Sequence, residues 1–371
     1  MIVGVTKEIK NHEYRVGLTP SSVREFVAAG HRVLVETEAG AGIGASDDAY
    51  RAVGATIVPE AATIFADAEM VVKVKEPQPD ECRQLHEDQL LFTYLHLAPD
   101  LIQTELLLES GVTAVAYETV TGADGSLPLL APMSEVAGRL AAQAGAHCLE
   151  RASGGSGVLL GGVPGTPPGR VLVLGGGVVG ENAAYIATGM GAQVTILDRS
   201  LPRLRQLDID YEGRVSCLYS TTERVEQLAT ESDLVIGAVL IPGAAAPKLL
   251  SAETIRRMRP GSVVVDVAID QGGCFETSKP TTHQDPTYFV DGVVHYCVAN
   301  MPGAVPVTST DALNNATLPY GLALAGKGFR AAMANDAGLM NGLSVHAGQL
   351  TQAAVGEALG LESVDAASVV H

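Results

Sequence analysis

The stretch from residue 171 to residue 198 constrains the fold most, because strand, glycine and helix patterns follow one another there in a fixed order. An apolar run, Val171–Leu174, has the length and branching of a buried parallel strand. Three glycines with the spacing G-x-G-x-x-G follow it directly: Gly175, Gly177 and Gly180. Small residues then predict a helix that packs closely on a sheet, and the next apolar run, Val194–Leu197, ends at Asp198. This order predicts a β-α-β unit of a doubly wound parallel sheet.

The glycines and the final acid each have a physical task if this unit binds a dinucleotide. Gly175 permits the tight turn, Gly177 leaves room for a pyrophosphate, and Gly180 lets the helix approach the strand. The helix N-terminus offers N–H groups and a positive dipole end to the phosphates. Asp198, 18 residues after Gly180, would accept the adenosine ribose hydroxyls and repel a 2′-phosphate, which favours NAD over NADP. The alternative is a tight turn that binds no ligand.

Charge and cysteine usage exclude several classes of partner. A net charge of −18, with no Trp and only 4% aromatic residues, disfavours both nucleic acid and anionic membranes. Five cysteines without a C-x-x-C motif indicate neither a disulfide framework nor a zinc site, so no metal is expected. The apolar stretch 234–246 is interrupted by glycine and proline and is too short to span a bilayer. We therefore expect a cytoplasmic protein that binds small molecules.

The rest of the chain predicts a second α/β domain in two pieces. Strand-like and helical runs alternate through residues 1–130 without a glycine fingerprint, which predicts a separate parallel sheet. Its predicted strands are Ile2–Thr6, Arg32–Glu36, Met70–Lys75, Gln89–His96 and Thr113–Tyr117. The last roughly 65 residues are too few for an independent domain, so we expect their helical runs, Ala312–Leu324 and Leu350–Leu359, to complete the first one.

Two Rossmann-like domains with doubly wound parallel sheets are therefore expected, one inserted into the other. The expected substrate (catalytic) domain comprises residues 1–130 and 307–371. The expected NAD-binding Rossmann domain comprises residues 131–306.

Ionisable residues occur at the ends of the predicted strands or close after them, where open α/β sheets bind their ligands. They are Arg15, Lys75, His96 and Asp270. Oxidative deamination of a small amino acid needs these residue types. An arginine or lysine holds the carboxylate, and a second cation polarises the substrate oxygen. A base that titrates near neutrality moves the protons, and an anion orients water.

Each of these residues also has a plainer interpretation. Lys73 lies two positions before Lys75 on the same face of the predicted strand and is a rival for its role. Arg15 could pair on the surface with Glu13 or Glu8. The aspartate could form a turn, and the histidine is one of nine in the chain. Spacing alone leaves these alternatives open.

Ordered motifs from Met1 to near the C-terminus carry a family resemblance. They are Lys7-Glu8-Ile9-Lys10-Asn11-x-Glu13-x-Arg15, Lys73-Val-Lys75-Glu-Pro77, Tyr94-Leu-His96-Leu, Leu129-Leu-Ala-Pro-Met-Ser-Glu-Val-Ala-Gly-Arg139, Leu160-Gly-Gly-Val-Pro-Gly165, the glycine fingerprint, Asp266-Val-Ala-Ile-Asp-Gln-Gly-Gly-Cys-Phe-Glu276 and Val298-Ala-Asn-Met-Pro302. In these motifs the chain resembles the alanine dehydrogenase and pyridine nucleotide transhydrogenase family, and within it the bacterial L-alanine dehydrogenases.

The resemblance implies NAD-linked conversion of L-alanine and water to pyruvate, ammonia and NADH, and the reverse reaction. It makes His96 the proton donor and acceptor and Asp270 the second catalytic residue. It places the substrate on Arg15, Lys75, Tyr94, Met133 and Asn300. It places NAD on Ser134, Gly175, Gly177, Val178, Val179, Gly180, Asp198, Arg203, Ser220, Val239, Leu240, Val267, Ala268, Ile269, Asp270, Val298, Ala299, Asn300 and Met301. It also implies a homohexamer, and it alone decides for Lys75 over Lys73.

Two other functions remain open at this point. The nearest is the nucleotide-binding subunit of a proton-translocating NAD(P) transhydrogenase, which would need no proton-shuttling histidine for an amino acid. The other is an NAD-binding structural or sensor protein without turnover. If the enzyme is an alanine dehydrogenase, its methyl pocket would discriminate poorly against hydrogen. Some reductive amination of glyoxylate is then expected.

Overall fold

The computed structural model describes residues 1–239 and 246–370. The chain divides into two compact units, each with its own sheet. Unit 1 comprises Met1–Met133 and Val305–His371, and unit 2 comprises Ser134–Ala304. Unit 1 is therefore built from two separate segments of the chain, and unit 2 is built from the single segment between them. Within the described residues, no helix combines the length and the apolar character that a membrane span requires.

The first part of unit 1 alternates strands and helices. Its elements are β1 Ile2–Val5, α1 Pro20–Ala28, β2 Arg32–Glu36, α2 Asp47–Ala52, β3 Thr56–Val58, α3 Ala61–Asp67, β4 Met70–Val72, α4 Pro79–Cys82, β5 Leu90–Thr93, α5 Leu101–Ser110 and β6 Thr113–Ala116. A long helix, α6 Ala131–Cys148, then leads from unit 1 into unit 2.

The described residues of unit 2 alternate in the same way. The elements are β7 Arg170–Leu174, α7 Val178–Gly189, β8 Gln193–Asp198, α8 Leu201–Tyr211, β9 Val215–Tyr219, α9 Thr222–Glu231, β10 Leu234–Gly237, α10 Ala252–Arg257, β11 Val263–Asp266, β12 Thr287–Val290 and β13 Val293–Tyr296. The returning segment adds α11 Pro306–Lys327, α12 Phe329–Ala334, α13 Ala337–Met340, β14 Leu343–His346, β15 Gln349–Leu350, α14 Ala353–Leu359 and α15 Ala366–Val370.

The sheet of unit 1 has eight strands in the order β15-β14-β6-β5-β4-β1-β2-β3. The strands from β3 to β6 pair in parallel, whereas β14 and β15 add an antiparallel edge. One core lies between this sheet and its helices, and it includes Ile64, Leu91, Leu107 and Val345. Val345 comes from the returning segment, so that segment contributes directly to the core of unit 1.

The returning helix α11 also supports a loop that matters below. Thr310 Oγ1 accepts a hydrogen bond from the backbone N–H of Val16 at 3.4 Å. Asn314 Oδ1 accepts one from the N–H of Thr19 at 2.9 Å, and Thr19 in turn caps α1. These bonds fix the loop that carries Arg15.

The sheet of unit 2 has seven strands in the order β12-β13-β11-β10-β7-β8-β9. All pairs are parallel except that of β12 and β13. The strands β10 and β11 are buried throughout, as expected for a parallel sheet covered on both faces. The prediction of two α/β units with doubly wound sheets is confirmed for the body of each sheet, and antiparallel strands occupy one edge of each.

Several predicted elements differ from the observed ones at their ends. The strands predicted as Met70–Lys75 and Gln89–His96 end at Val72 and Thr93, because side chains bind the backbone of the following residues in loops. The helix predicted from Leu350 is wrong at its start, since that residue belongs to β15 and the helix begins at Ala353. The short strands β3, β9, β12, β14 and β15 were not predicted, because two to five residues give too little periodicity to detect.

Candidate active site

The glycine turn of unit 2 has the shape that a dinucleotide phosphate needs. Gly175 directly follows β7 with a φ of +99°, a conformation that side chains rarely allow. A Cβ on Gly180 would lie 1.8 Å from the carbonyl oxygen of Gly175, so only glycine permits this approach of helix to strand. At Gly177 a Cβ would meet nothing within 4 Å. Gly177 is also the N-cap of α7 and makes no side-chain cap, so the first turn of the helix keeps its N–H groups for a ligand.

Asp198 and Arg203 both form hydrogen bonds with the backbone of Gly176, in the middle of this turn. The N–H of Gly176 donates to Asp198 Oδ2 at 2.7 Å, and Arg203 Nε donates to the Gly176 carbonyl at 2.6 Å. The other Asp198 oxygen accepts from the N–H of Ser200 at 2.7 Å. Arg203 is paired with Glu181 Oε2 at 2.5 Å. Both residues were predicted as cofactor contacts, but their role in shaping the turn was not predicted.

The other predicted cofactor residues of unit 2 share one edge of its sheet. Because β7, β8, β9, β10, β11 and β13 run parallel, their carboxyl ends face the same way. The residues that lie within five positions after these ends include Ser220, Val239, Val267, Ala268, Ile269, Asp270, Val298, Ala299, Asn300 and Met301. Val178 and Val179 form the first turn of α7, and Ser134 lies in α6. Leu240, also predicted as a cofactor contact, lies outside the described residues.

Asp270 is exposed on a short 3-10 turn, Ile269–Gln271, after β11. The buried carboxylate of Asp266, the last residue of that strand, holds this loop. It accepts hydrogen bonds from the N–H groups of Ala268 at 3.1 Å and Cys274 at 2.8 Å, and from Ser278 Oγ at 2.5 Å. Burial and the nearby Asp266 raise the pKa of the Cys274 thiol well above its ordinary value. Sequence reasoning gave Asp266 no role, although an acid closing an apolar strand is a detectable signal.

Arg15 of unit 1 is buried, with 2% of its surface exposed, and it is held in one plane by Glu13. Its Nε donates to Glu13 Oε1 at 2.7 Å and its second terminal nitrogen to Oε2 at 2.5 Å. The first terminal nitrogen lies 3.1 Å from the sulfur of Met133. Burial alone would lower the pKa of Arg15, but the hydrogen bonds and charge of Glu13 outweigh it and raise that pKa. The alternative pairing with Glu13 is thus observed, but in the interior and not on the surface.

Lys73 and Lys75 have different surroundings. Lys73 is completely buried, and its ammonium group contacts Glu81 at 2.8 Å and Glu8 at 3.3 Å. Glu8 also accepts a hydrogen bond from the N–H of Val74 at 2.6 Å, which fixes the loop that carries Lys75. The side chain of Lys75 retains 11% exposure, with its ammonium 3.8 Å from the carboxylate of Glu76. Lys73 therefore stabilises the interior, and Lys75 is the lysine of the two that a solute can reach.

His96 is the exposed member of the unit 1 group, with 43% of its side chain accessible. It lies three residues beyond the end of β5, and its ring stacks on that of Tyr94 with centroids 5.7 Å apart and planes 3° apart. Tyr94 itself is buried, and its hydroxyl donates to the carbonyl of Leu129 at 2.5 Å. Burial raises the pKa of Tyr94 above its ordinary value, so it remains a neutral phenol. Unit 1 thus presents an arginine, a lysine and a histidine after the adjacent strands β1, β4 and β5.

The second sheet, its glycine turn and the acid at the end of β8 define the class of the protein: a nucleotide-binding α/β protein of the Rossmann type. Two family models narrow this class. The model described as "Alanine dehydrogenase/PNT, N-terminal domain" matches residues 4–137, and "Alanine dehydrogenase/PNT, C-terminal domain" matches residues 141–353. The chain belongs to the alanine dehydrogenase/PNT family, and the resemblance predicted from its motifs is confirmed.

Individual relatives agree with this assignment. An alanine dehydrogenase of Halomonas elongata is 61% identical over 370 residues, which is 100% of each chain. A solved structure titled L-alanine dehydrogenase superposes with a TM-score of 0.94 at 56% identity, covering 97% of this chain and 99% of that one. A transhydrogenase from Sinorhizobium meliloti has a TM-score of 0.81 at 24% identity, covering 95% of this chain and 100% of that one. At that identity the last likeness shows the fold alone.

Proposed function

We propose that this chain is an NAD-dependent L-alanine dehydrogenase. The reaction converts L-alanine, water and NAD to pyruvate, ammonium and NADH with release of one proton, and it runs in both directions. The observation that carries the proposal is the set of cationic and titratable residues at the carboxyl ends of adjacent strands in unit 1, in a chain whose full-length relatives are alanine dehydrogenases. Unit 1 would bind the amino acid and unit 2 the dinucleotide.

Arg15 and Lys75 are proposed to hold the substrate. The forked guanidinium of Arg15 suits a carboxylate, and Glu13 already fixes its plane, so little conformational entropy is lost on binding. The ammonium of Lys75 would bind and polarise the carbonyl oxygen of pyruvate. Met133 contacts Arg15 and would line the pocket for the methyl group. Tyr94 and Asn300 complete the proposed substrate contacts.

His96 and Asp270 are proposed to move the protons. His96 would take a proton from the substrate ammonium, and later from the water that attacks the imine carbon. An exposed imidazole can exchange each proton with solvent between these steps. Asp270, also exposed, would act as the second acid/base group and orient the attacking water. The attack gives a carbinolamine. His96 would return a proton to its nitrogen, and the C–N bond then breaks as the hydroxyl loses its proton, which gives pyruvate and an ammonia molecule that takes up a proton to become ammonium.

The glycine turn of unit 2 is proposed to bind NAD. The open space at Gly177 and the N–H groups of the first turn of α7 fit a pyrophosphate. Asp198 has accepting capacity beyond its two backbone hydrogen bonds, since an ionised carboxylate has about four acceptor sites, and it would accept the ribose hydroxyls. Bound NAD would supply the acceptor for the hydride that leaves the substrate Cα.

A homohexamer and a cytoplasmic location belong to the same proposal. The hexamer rests on the family resemblance, and light scattering after gel filtration would measure it. The location rests on the cysteine pattern, and all five cysteines are free in the structure. Cell fractionation would test it.

The direct test mixes the purified protein with L-alanine and NAD at alkaline pH and follows NADH formation. D-Alanine, L-serine and NADP serve as controls. NADH formation that depends on L-alanine and NAD supports the proposal. No formation, with NADH binding intact, would favour a binding protein without turnover.

A further inference from the structure

His96 has a backbone conformation that needs external support. Its φ is +51°, in the left-handed region, where residues with a Cβ are uncommon. The carboxylate of Glu118 supplies that support. Its Oε1 accepts a hydrogen bond from the backbone N–H of His96 at 2.6 Å. Both of its oxygens lie 3.2 Å from the N–H of Leu95. One side chain therefore binds two successive N–H groups of the loop that carries the imidazole.

The sheet places Glu118 beside this loop. Glu118 lies on the 3-10 turn Tyr117–Thr119, which directly follows β6. The strands β5 and β6 pair in parallel, with Thr93 opposite Ala116 at their ends. Gln103 of α5 acts from another direction, donating to the Leu95 carbonyl at 3.1 Å. The backbone N–H and the carbonyl of Leu95 are thus both bound by side chains of unit 1, which fixes the loop.

The same carboxylate also faces the imidazole ring. His96 Nδ1 lies 3.8 Å from Glu118 Oε1, while the Tyr94 ring lies parallel to one face of the imidazole. An anion beside Nδ1 favours the tautomer with hydrogen on Nδ1. That tautomer leaves Nε2 to accept the substrate proton, as in other enzymes where a carboxylate orients a histidine.

We propose that Glu118 is a positioning residue for His96, acting through the backbone and the Nδ1 side of the ring so that Nε2 exchanges the substrate proton. The catalytic part of this inference rests on the function proposed above, whereas the positioning part concerns unit 1 alone. Its test therefore needs one arm that measures turnover and one that does not.

The turnover arm compares Glu118→Gln, Glu118→Asp and a control, Glu105→Gln, which changes an exposed glutamate on α5 of the same unit. We expect Glu118→Gln to lower kcat by at least about tenfold, as loss of an oriented acid/base group does. KM for L-alanine and the Kd of NADH should stay within about twofold of the wild type, because Arg15 and the glycine turn are untouched. Glu118→Asp, which keeps the charge, should recover part of kcat.

Two results of this arm would overturn the inference. One is a wild-type kcat in Glu118→Gln. The other is an equal loss of kcat, NADH binding and thermal stability in both Glu118 variants, which would show a general structural role.

The second arm measures hydrogen exchange by mass spectrometry in a peptide covering residues 94–98 of the full-length protein. In Glu118→Ala the N–H groups of Leu95 and His96 lose their acceptor, so exchange in this peptide should be at least about tenfold faster than in the wild type. Unchanged exchange would refute the positioning role. If the wild type fails to oxidise L-alanine, the proposed function fails, and this arm still decides the role of Glu118.

Discussion

Glu13 and Arg15 form an ion pair with two hydrogen bonds in the interior of unit 1, where their side chains are 0% and 2% exposed. Removing one partner of a buried pair of this kind costs about 3–5 kcal/mol. We expect Glu13→Gln to lower the free energy of unfolding by the low end of that range, since the amide keeps one acceptor. KM for L-alanine and pyruvate should rise about tenfold, because the Arg15 guanidinium is no longer held in the plane that suits the substrate carboxylate. Denaturant unfolding and steady-state kinetics measure the two effects.

The matched control is Asp48→Asn, which breaks an exposed pair with Arg51 at 2.7 Å. Such surface pairs contribute about 0–1 kcal/mol, so this variant should resemble the wild type in stability and KM. Equal behaviour of the two variants would contradict the structural role assigned to Glu13.

Replacing His96 should remove turnover and spare cofactor binding. His96→Asn is a better choice than His96→Ala, because asparagine tolerates the left-handed backbone observed at this position. We expect kcat to fall by about 10²–10⁴-fold, while the Kd of NADH, measured by fluorescence titration, stays near the wild-type value. A parallel loss of NADH binding would instead make His96 a structural or cofactor residue.

Asp198→Ser should relax the discrimination against NADP and weaken NAD binding. The first effect follows from removing a negative charge where a 2′-phosphate would lie. The second follows because Asp198 also holds the N–H of Gly176 at 2.7 Å. We expect the ratio of kcat/KM for NADP to that for NAD to rise at least about tenfold. The control is Asp210→Ser, which changes an exposed residue of α8. An unchanged ratio in Asp198→Ser would refute the proposal that Asp198 binds the ribose hydroxyls of NAD.

The sequence was sufficient for the fold class because its signals are local. A branched apolar run, three spaced glycines and an acid 18 residues later lie within one β-α-β unit. Arg15, Lys75 and His96 could also be grouped from the sequence, because each follows a predicted strand of unit 1. Short edge strands such as β12 and β15 were not predicted, because their pairing with a neighbouring strand, and not their own residues, defines them.

The carboxylates that hold the predicted site residues could not be found in the same way. Glu13 is two positions from Arg15 and was considered as its partner, but the burial of the pair could not be predicted from their spacing. Glu118 is 22 positions from His96 and meets it only because β5 and β6 pair. Asp266 closes an apolar run that the sequence shows, but its hydrogen bonds to Ala268, Cys274 and Ser278 depend on how the following loop folds back. Contacts between residues far apart in the chain depend on the order of the strands in the sheet, which local sequence patterns do not reveal.

Buried thiols should make the folded state less stable at alkaline pH. Burial first, and nearby carboxylates second, raise the pKa of Cys82 from 9 to about 12 and that of Cys148 to about 11. In the unfolded chain both titrate at the ordinary value. The contribution of these two thiols to the free energy of unfolding is therefore fully present below about pH 9. It falls as pH rises toward the folded-state pKa values, by at most about 1.4 kcal/mol per pH unit for each thiol.

Cys148→Ala isolates one of these contributions. Between about pH 8 and about pH 10 the variant should lose about 1 kcal/mol less unfolding free energy than the wild type, because one titrating thiol is absent. Denaturant unfolding at the two pH values measures the difference. Identical losses in both proteins would contradict the assigned burial of this thiol.

The substrate pocket should accept glyoxylate as a poor substitute for pyruvate. Loss of one methyl group from the substrate costs only about 1–3 kcal/mol of binding in the transition state. With ammonia and NADH, we expect kcat/KM for glyoxylate to be lower than that for pyruvate by roughly 10–200-fold. The absence of any turnover at saturating glyoxylate would show that the pocket requires the methyl group.

The most direct measurement of the central claim follows the hydrogen on the substrate Cα. The wild-type protein is incubated with NAD and L-alanine carrying deuterium at Cα, and the products are analysed by mass spectrometry. The account predicts deuterium in the reduced nicotinamide, unlabelled pyruvate in equal amount, and no transfer from deuterated D-alanine. Pyruvate without deuterated NADH, or no product at all from a protein that binds NADH, would contradict it.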